Sequence, residues 1–164
     1  MKKAQPWIGL LARLILGGVL LVAGYLKAFT PDKSMMAVRA YEILPIWLAN
    51  AIGIILPWLE IGAGLLLIIG VGIRYSAIFG SALMVLFIIA IAQAWARGLS
   101  IDCGCFGGGG TIDPSQTKYL EEILRDIGLA LLGLYLLRYP NTKFALEKNK
   151  SREPKSSEQL TPGE

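Results

Sequence analysis

Three stretches of this chain are long enough and apolar enough to cross a lipid bilayer, and they restrict its fold more than any other feature. They cover residues 7–26, 46–72 and 75–96 and contain few charges. The hydrocarbon core of a bilayer is about 30 Å thick and is crossed by about 20 helical residues. Residues 118–139 form a fourth, less uniform stretch whose first two turns are charged. We therefore predict an all-α integral membrane protein, a four-helix bundle within the lipid bilayer.

The composition argues against several other classes of protein. Apolar residues make up 54% of the 164 residues, and the mean hydropathy is +0.56, whereas soluble domains are roughly 45–50% apolar. Histidine is absent, which removes the usual acid–base group at neutral pH and the commonest metal ligand. The net charge is +4, and five of the 16 Lys and Arg residues lie in a polar C-terminal tail. Its position beside an apolar segment favours contact with anionic lipid headgroups, and we expect no nucleic-acid partner.

The chain divides into a transmembrane domain, residues 1–140, and a tail, residues 141–164. The tail is rich in Lys, Glu, Ser and Pro, so it cannot bury enough apolar surface to fold and is expected to be disordered. Residues 1–26 resemble a signal peptide, but the apolar part is as long as a full span and no clear cleavage site follows, which favours a retained helix. Pro57 lies inside the second span and predicts a kinked or broken helix. Residues 28–45 are expected to form a polar loop with a short interfacial helix.

The distribution of Lys and Arg predicts the orientation of the four spans, because cytoplasmic loops carry more of these residues. One side has nine of them: Lys2, Lys3, Arg74, Arg138, Lys143, Lys148, Lys150, Arg152 and Lys155. The other side has five: Lys27, Lys33, Arg39, Arg97 and Lys118. We therefore expect both termini in the cytoplasm and the loop between the third and fourth spans in the periplasm, as in a bacterial inner membrane protein.

That loop holds both cysteines of the chain, Cys103 and Cys105, in the segment I-D-C-G-C-F-G-G-G-G. A disulfide across one glycine closes so small a ring that it removes almost no entropy from the unfolded chain. Its geometry is also tight, and strained, exposed disulfides exchange readily. We therefore interpret the pair as a redox-active, catalytic dithiol. Its thiolates would be activated by Arg97, Lys118, Arg125, backbone amides or the start of the fourth helix.

Two other interpretations of the loop stay open at this point. The cysteines could be structurally inert, or they could bind a metal with help from Asp102, Asp113 or a partner, although two thiolates leave a zinc site two ligands short. The glycine run 107–110 lacks the Lys-Ser/Thr of a phosphate-binding loop. We expect a flexible hinge there.

Charges inside the spans are the remaining candidates for function, since each costs on the order of 3 kcal/mol near the bilayer centre. Arg13 and Glu60 are estimated to lie at similar depth, which predicts a buried pair; the alternative is that Arg13 reaches the headgroups. Arg125 and Asp126 lie two turns into the fourth helix. They either face solvent or form one wall of a cavity beneath the cysteine loop.

Several motifs together resemble the MauE/DoxX family of redox-associated membrane proteins. They are L-A-R-L-I-L-G-G-V-L-L-V-A-G-Y-L-K in the first span, A-Y-E-I-L-P, L-P-W-L-E-I-G-A-G-L-L-L in the second span, D-C-G-C-F-G, and L-R-D in the fourth. The resemblance covers residues 7–138, and C-G-C-F-G is typical of the MauE-like branch. Six residues match the family pattern: Arg13, Glu60, Cys103, Cys105, Arg125 and Asp126. The expected cofactor-binding residues are Arg13, Glu60, Arg125 and Asp126.

The resemblance implies a role in maturing the disulfide-rich small subunit of methylamine dehydrogenase beside a thioredoxin-like partner, and DoxX relatives imply quinone as a cofactor. We expect a membrane thiol–disulfide redox protein that exchanges electrons with a periplasmic thioredoxin-like protein and passes them to quinone, in support of disulfide formation in exported proteins. The alternative is a non-catalytic scaffold that docks a periplasmic redox protein. A transporter would need a second broken helix, which the sequence lacks.

Overall fold

The computed structural model describes residues 5–140 and residue 142, and within them the chain is almost entirely helical. The helices are α1 (Gln5–Ala28), α2 (Pro31–Ala40), α3 (Ile46–Ile69), α4 (Ile73–Ala96) and α5 (Tyr119–Arg138). Between α4 and α5 lie two short antiparallel strands, β1 (Ile101–Asp102) and β2 (Gly110–Thr111), and a 3₁₀ turn, Pro114–Gln116. The all-α membrane fold expected from the sequence is confirmed. The predicted tail lies outside the described residues except for Thr142.

Three of the helices, α1, α3 and α4, are long and apolar enough to cross a membrane. The fourth predicted span, α5, has four charged residues in its first two turns and falls short of that standard. It nevertheless packs along α4 and also contacts α1, while α1 packs on α3 and α3 on α4. The four long helices therefore contact one another in a ring, with buried Leu16, Leu67 and Leu136 in the shared core.

Close packing of α1 on α3 depends on glycines that face each other across the two antiparallel helices. A Cβ atom on Gly17 would lie 3.0 Å from the Gly64 carbonyl oxygen, and one on Gly24 would lie 2.6 Å from the Pro57 carbonyl oxygen. Small residues let helices in a membrane approach in this way. The pairing also sets the register: α3 extends about two turns past the C-terminal end of α1, at 1.5 Å per residue.

The short helix α2 covers the part of α3 that extends past α1. Pro57 has no N–H to donate to the Gly53 carbonyl four residues earlier, yet α3 continues through it as one helix, so the predicted break is absent. The Ser34 hydroxyl of α2 donates instead to the Gly53 oxygen, 2.6 Å away, in a buried hydrogen bond. Pro57 of α3 thus leaves a carbonyl oxygen free to accept, and α2 is attached to α3 through that oxygen.

Candidate functional site

The cysteine loop is held on the end of the bundle by two buried tyrosines. The Tyr119 hydroxyl, at the start of α5, donates to the Leu99 carbonyl at 2.6 Å and accepts the Ile101 N–H at 2.9 Å. The Tyr41 hydroxyl, at the end of α2, donates to the Cys103 carbonyl at 3.1 Å. Burial and the nearby thiols raise the pKa of Tyr41, so this phenol stays neutral and remains a donor.

The glycines of the loop allow it to lie directly against α2 and α1. Gly104 has a φ of +70°, and a side chain there would also overlap Ala37. A Cβ atom on Gly109 would lie 2.8 Å from the Lys33 carbonyl oxygen, and one on Gly107 would lie 3.2 Å from Leu26. The glycines are therefore needed for close packing of the loop on two helices. The expectation of a flexible hinge did not include this role.

Both cysteines are free thiols in this structure. Cys105 is buried at 6% exposure, whereas Cys103 is only partly buried. The Cys105 backbone N–H lies 3.3 Å from the Cys103 sulfur. A hydrogen bond to the Cys105 side chain, burial and the neighbouring thiol raise the pKa of Cys103 well above that of an ordinary cysteine, against the opposing effect of the Cys105 backbone N–H. Cys103 is therefore a protonated thiol at neutral pH, and its thiolate forms only where a nearby group takes the proton.

Carboxylates and one arginine surround the more exposed thiol. The sulfur of Cys103 and one oxygen each of Asp102 and Glu122 lie within 4.8 Å of one another, and Asp102 also accepts the Gly104 N–H at 2.9 Å. Arg125 interacts electrostatically with both thiols, and its guanidinium lies 5.0 Å from the centre of the Phe106 ring.

The other two cations considered from the sequence have other partners. Arg97 pairs with Glu42 at 3.1 Å, and Lys118 lies 3.8 Å from Glu121. Of the three, Arg125 is thus the one positioned to stabilise a thiolate.

A cavity lies beneath the loop, at the centre of the bundle. Four of the six predicted site residues line it, Glu60, Cys105, Arg125 and Asp126, together with apolar side chains from α1, α4 and α5. The predicted cavity walled by the first turns of α5 is therefore present. The volume that the centre of a water molecule can reach in it is about 10 Å³, which is room for one water molecule.

Two ion pairs place four charges beside this cavity. Lys27 Nζ lies 2.5 Å from Glu60 Oε1, and both side chains are almost completely buried. Arg125 lies 2.8 Å from Asp126 Oδ1, and Asp126 is 1% exposed. Among the described residues, Glu60 Oε2 and Asp126 Oδ2 are buried without a hydrogen-bond partner. Burying charge in this way is costly, which marks the cavity as the candidate functional site.

The predicted Arg13–Glu60 pair is wrong. Arg13 is buried near the other end of α1 and donates to the Thr142 hydroxyl at 2.9 Å. Because Gly17 and Gly24 set the register of α1 on α3, Arg13 lies about 12 Å along the helix from the level of Glu60, at 1.5 Å per residue. The depth estimate assumed that the ends of α1 and α3 are level.

Sequence reasoning overlooked two functional candidates. Lys27 was counted as a loop residue, yet it is the partner of Glu60. Glu122 was noted only as one of four charges in α5, and it lies beside Cys103. A lysine in the last turn of an apolar helix is a weak signal by itself, because such residues commonly extend to the headgroups.

The residues near the cysteines can be tested against the two ligands considered from the sequence, a metal ion and a quinone. Asp102, Cys103 and Glu122 give three ligand atoms, whereas Asp113 belongs to an exposed turn in which it accepts from Ser115. Three donors without a fourth protein ligand do not make a structural zinc site. The cavity has room for water and not for a quinone ring, so the residues as placed do not fit a bound quinone.

The fold and the site define an all-α, multi-pass membrane protein with a dithiol loop above a buried, charged cavity. Residues 5–139 match the family model described as methylamine utilisation protein MauE. The chain belongs to this family.

Two curated relatives with the name methylamine utilization protein MauE agree with that assignment. The protein from Methylorubrum extorquens strain AM1 is 38% identical over 136 residues, which are 81% of this chain and 70% of the relative. The protein from Methylophilus methylotrophus is 31% identical over 139 residues, 83% of this chain and 70% of the relative. No solved structure matches the chain.

Proposed function

We propose that this protein is a thiol–disulfide oxidoreductase of the bacterial inner membrane, with its termini in the cytoplasm and its dithiol in the periplasm. The observation that carries the proposal is the unequal burial of two adjacent thiols beside one arginine. Cys103 is accessible enough to meet another protein, and Cys105 lies behind it in the cavity. Its partner would be a soluble thioredoxin-like protein, and the names of the relatives suggest methylamine utilisation as the pathway.

The reaction needs only the two proteins. The Cys103 thiolate attacks one sulfur of the partner's disulfide, so a mixed disulfide forms and the partner's other sulfur leaves as a thiolate. Cys105 then attacks the Cys103 sulfur, which closes the Cys103–Cys105 bond and releases the partner. Two electrons pass to the partner, and the two protons lost by the thiols end on its two sulfurs. The reverse sequence oxidises the partner.

The surroundings of the two thiols support this order of events. Glu122 lies close enough to Cys103 to accept its proton, and Arg125 interacts electrostatically with both sulfurs. Cys105 is too buried to meet a folded partner directly, so it suits the resolving step. The glycine between the cysteines is packed on Ala37, which holds both thiols at the end of the bundle.

The test is to trap the mixed disulfide. In Cys105→Ser the resolving thiol is missing, so a covalent complex with a thioredoxin-like protein should accumulate. Non-reducing gels of membranes isolated from cells that contain the periplasmic partner detect it. The matched control is Cys103→Ser, in which the remaining thiol is buried and no complex is expected. Equal trapping by both variants, or by neither, would contradict the proposed order.

A second candidate function is a scaffold that docks a periplasmic redox protein without exchanging electrons. It is favoured by the raised pKa of Cys103, because a protonated thiol is a poor nucleophile. The double variant Cys103→Ser/Cys105→Ser separates the two functions. If the partner still binds and its disulfides still form normally, the protein is a scaffold, and the exchange reaction is abandoned.

A further inference from the structure

The cavity beneath the cysteine loop contains hydrogen-bonding groups whose requirements are unmet. Glu60 on α3 and Asp126 on α5 are 0% and 1% exposed, and each uses one carboxylate oxygen in an ion pair. The second oxygen of each has no partner among the described residues. A buried acceptor without a hydrogen bond loses the hydrogen bonds that it makes to water in the unfolded chain, and the loss is larger when the acceptor is charged. Two such oxygens beside one cavity point to a ligand that donates two hydrogen bonds.

The charge and size of the cavity define that ligand. Lys27 and Arg125 balance Glu60 and Asp126, so the four charges sum to zero and the site suits a neutral molecule. The centre of a water molecule can reach a volume of about 10 Å³ in the cavity, which is enough for one water molecule. Water has two O–H donors and accepts at its oxygen, and buried waters typically make about three hydrogen bonds.

The third hydrogen bond can come from Cys105, which lines the same cavity from the loop. Its S–H group is a weak donor, and its contact with the Cys103 carbonyl oxygen is long, at 3.9 Å, so the S–H can turn to a water instead. The remaining walls bring no further titratable group, since α4 contributes Met84 and Phe87. A water in this position would accept from the Cys105 thiol and donate to the free oxygens of both carboxylates.

We propose that the cavity binds one water molecule that bridges Glu60 Oε2 and Asp126 Oδ2 and conducts protons between these carboxylates and the Cys105 thiol. The water site stands on the geometry alone, whereas its use in releasing the Cys105 proton during exchange rests on the proposed function. Proton transfer moves one proton from sulfur to the water oxygen while the water gives one of its own to a carboxylate. The relay itself needs no redox partner.

The experiment follows the S–H group of Cys105 by infrared spectroscopy. Cys103→Ser leaves a single thiol in the full-length chain, whose S–H stretching band is lost as the proton exchanges with D₂O in detergent micelles. Ala23→Val adds two methyl groups to a residue that lines the cavity and leaves every charge in place. Ala82→Val makes the same change at an exposed position of α4 and is the control.

We expect Ala23→Val to slow the exchange by on the order of 10²-fold, the low end of what a positioned proton acceptor contributes, and Ala82→Val to leave it unchanged. Asp126→Asn, which removes an acceptor without changing the cavity volume, should slow it in the same direction, with the exposed Glu121→Gln as its control. It provides a second measurement if Ala23→Val does not fold. Exchange that is equally fast in the parent, Ala23→Val and Asp126→Asn, or equally slow in all three, overturns the proposal.

A second measurement separates this inference from the proposed function. The dithiol form of the two-cysteine chain is oxidised by an excess of oxidised glutathione, which is reduced to two glutathione thiols, and the rate is compared for the parent and Ala23→Val. Slower S–H exchange and slower oxidation in Ala23→Val support the relay and its use in exchange. Slower S–H exchange with an unchanged oxidation rate supports the water site and rejects its part in thiol chemistry.

Discussion

The Lys27–Glu60 pair is the most deeply buried charge pair of the described residues. The two charged atoms are 2.5 Å apart, the side chains are 4% and 1% exposed, and Lys27 Nζ also lies 5.5 Å from the centre of the Phe87 ring. Taking both charges out of water is costly, so the pair adds little net stability by itself. Its importance appears when one member is removed, because the other charge is then buried without compensation.

We predict that Lys27→Met destabilises the protein by about 3–5 kcal/mol, the cost of leaving a buried charge unpaired. Lys27→Met/Glu60→Gln should cost less than the sum of the two single changes, since neither unpaired charge remains. Chemical unfolding in detergent measures both values. The control is Lys118→Ala, whose pair with Glu121 is exposed and should change stability by less than about 1 kcal/mol. Strict additivity of the two changes would contradict the pairing.

The Cys103 thiol gives the protein a predictable response to high pH. Because its hydrogen bond to Cys105 and its burial raise the folded-state pKa, the fold favours the protonated thiol. The stability gained is fully present below the unfolded pKa of about 8.5 and is lost as the pH rises above it. We therefore expect the unfolding midpoint to fall above about pH 8.5, and iodoacetamide to react with native Cys103 more slowly than with the denatured chain.

Cys105→Ala tests the cause of this pH response. It removes the side-chain hydrogen bond and the neighbouring thiol, keeps the backbone N–H at residue 105, and leaves Cys103 partly buried. Alkylation of Cys103 at pH 8 should therefore become faster, and the loss of stability at high pH should become smaller. If Cys103 is alkylated as fast in the folded, unaltered protein as in the denatured chain, the fold does not keep this thiol protonated.

At the scale of helices, the contact between α2 and α3 is a consequence of Pro57. The proline leaves the Gly53 carbonyl without a helical donor, and the Ser34 hydroxyl supplies one at 2.6 Å. A Cβ atom on Gly53 would lie 2.7 Å from the Met35 Cα, so the two helices also meet at their backbones. The loop with the cysteines rests on this same helix α2 through Ala37.

We predict that Ser34→Ala costs about 1–3 kcal/mol, because it leaves a buried carbonyl without a partner. In a Pro57→Ala background the restored N–H can bond to Gly53, so Ser34→Ala should cost less there. Thermal unfolding of the four proteins in the cycle measures the coupling. Thr30→Val is a suitable control, since the Thr30 hydroxyl also bonds to a carbonyl but in an exposed position. Equal costs of Ser34→Ala in both backgrounds would refute the explanation.

The sequence was sufficient for the helices and insufficient for their register and for the two short strands of the cysteine loop. Apolar runs predicted α1, α3 and α4, and the polar loop was expected to hold a short helix, which is α2. The partner of Pro57 could not be predicted, because it depends on where α2 crosses α3. The Arg13–Glu60 error has the same origin: the glycine contacts, and not the helix ends, determine the depth of Glu60 relative to α1.

At the scale of the whole molecule, the sequence predicted which residues share a site better than it predicted how they pair. Glu60, Cys105, Arg125 and Asp126 were candidates because charges and thiols are rare in such a chain, and they line one cavity. Lys27 and Glu122 were overlooked because their partners lie at a distance in the sequence, on α3 for Lys27 and in the cysteine loop for Glu122. Three charges in the first turns of α5 are explained by the same cavity and loop, since Arg125 and Asp126 line the cavity and Glu122 lies beside Cys103.

The orientation of the molecule decides whether the dithiol can meet a periplasmic protein. In a chain with Cys103→Ser and Cys105→Ser, single cysteines at exposed positions report the side of the membrane: Ser115→Cys beside the cysteine loop, and Val71→Cys in the turn between α3 and α4. Because the Lys and Arg count is nine to five, we predict that a membrane-impermeant maleimide labels Ser115→Cys in intact spheroplasts. Val71→Cys should be labelled only after the membrane is permeabilised.

A cysteine at Thr142 extends the same measurement to α5. If α5 crosses the bilayer despite its charged first turns, Thr142→Cys and Val71→Cys lie on one side and are labelled together, after permeabilisation. The helix can cross because its charged residues cluster at one end, and the segment after Asp126 is apolar up to Arg138. Labelling of Thr142→Cys in intact spheroplasts would place both ends of α5 outside. Labelling of Ser115→Cys only after permeabilisation would place the dithiol in the cytosol and remove the basis for a periplasmic partner.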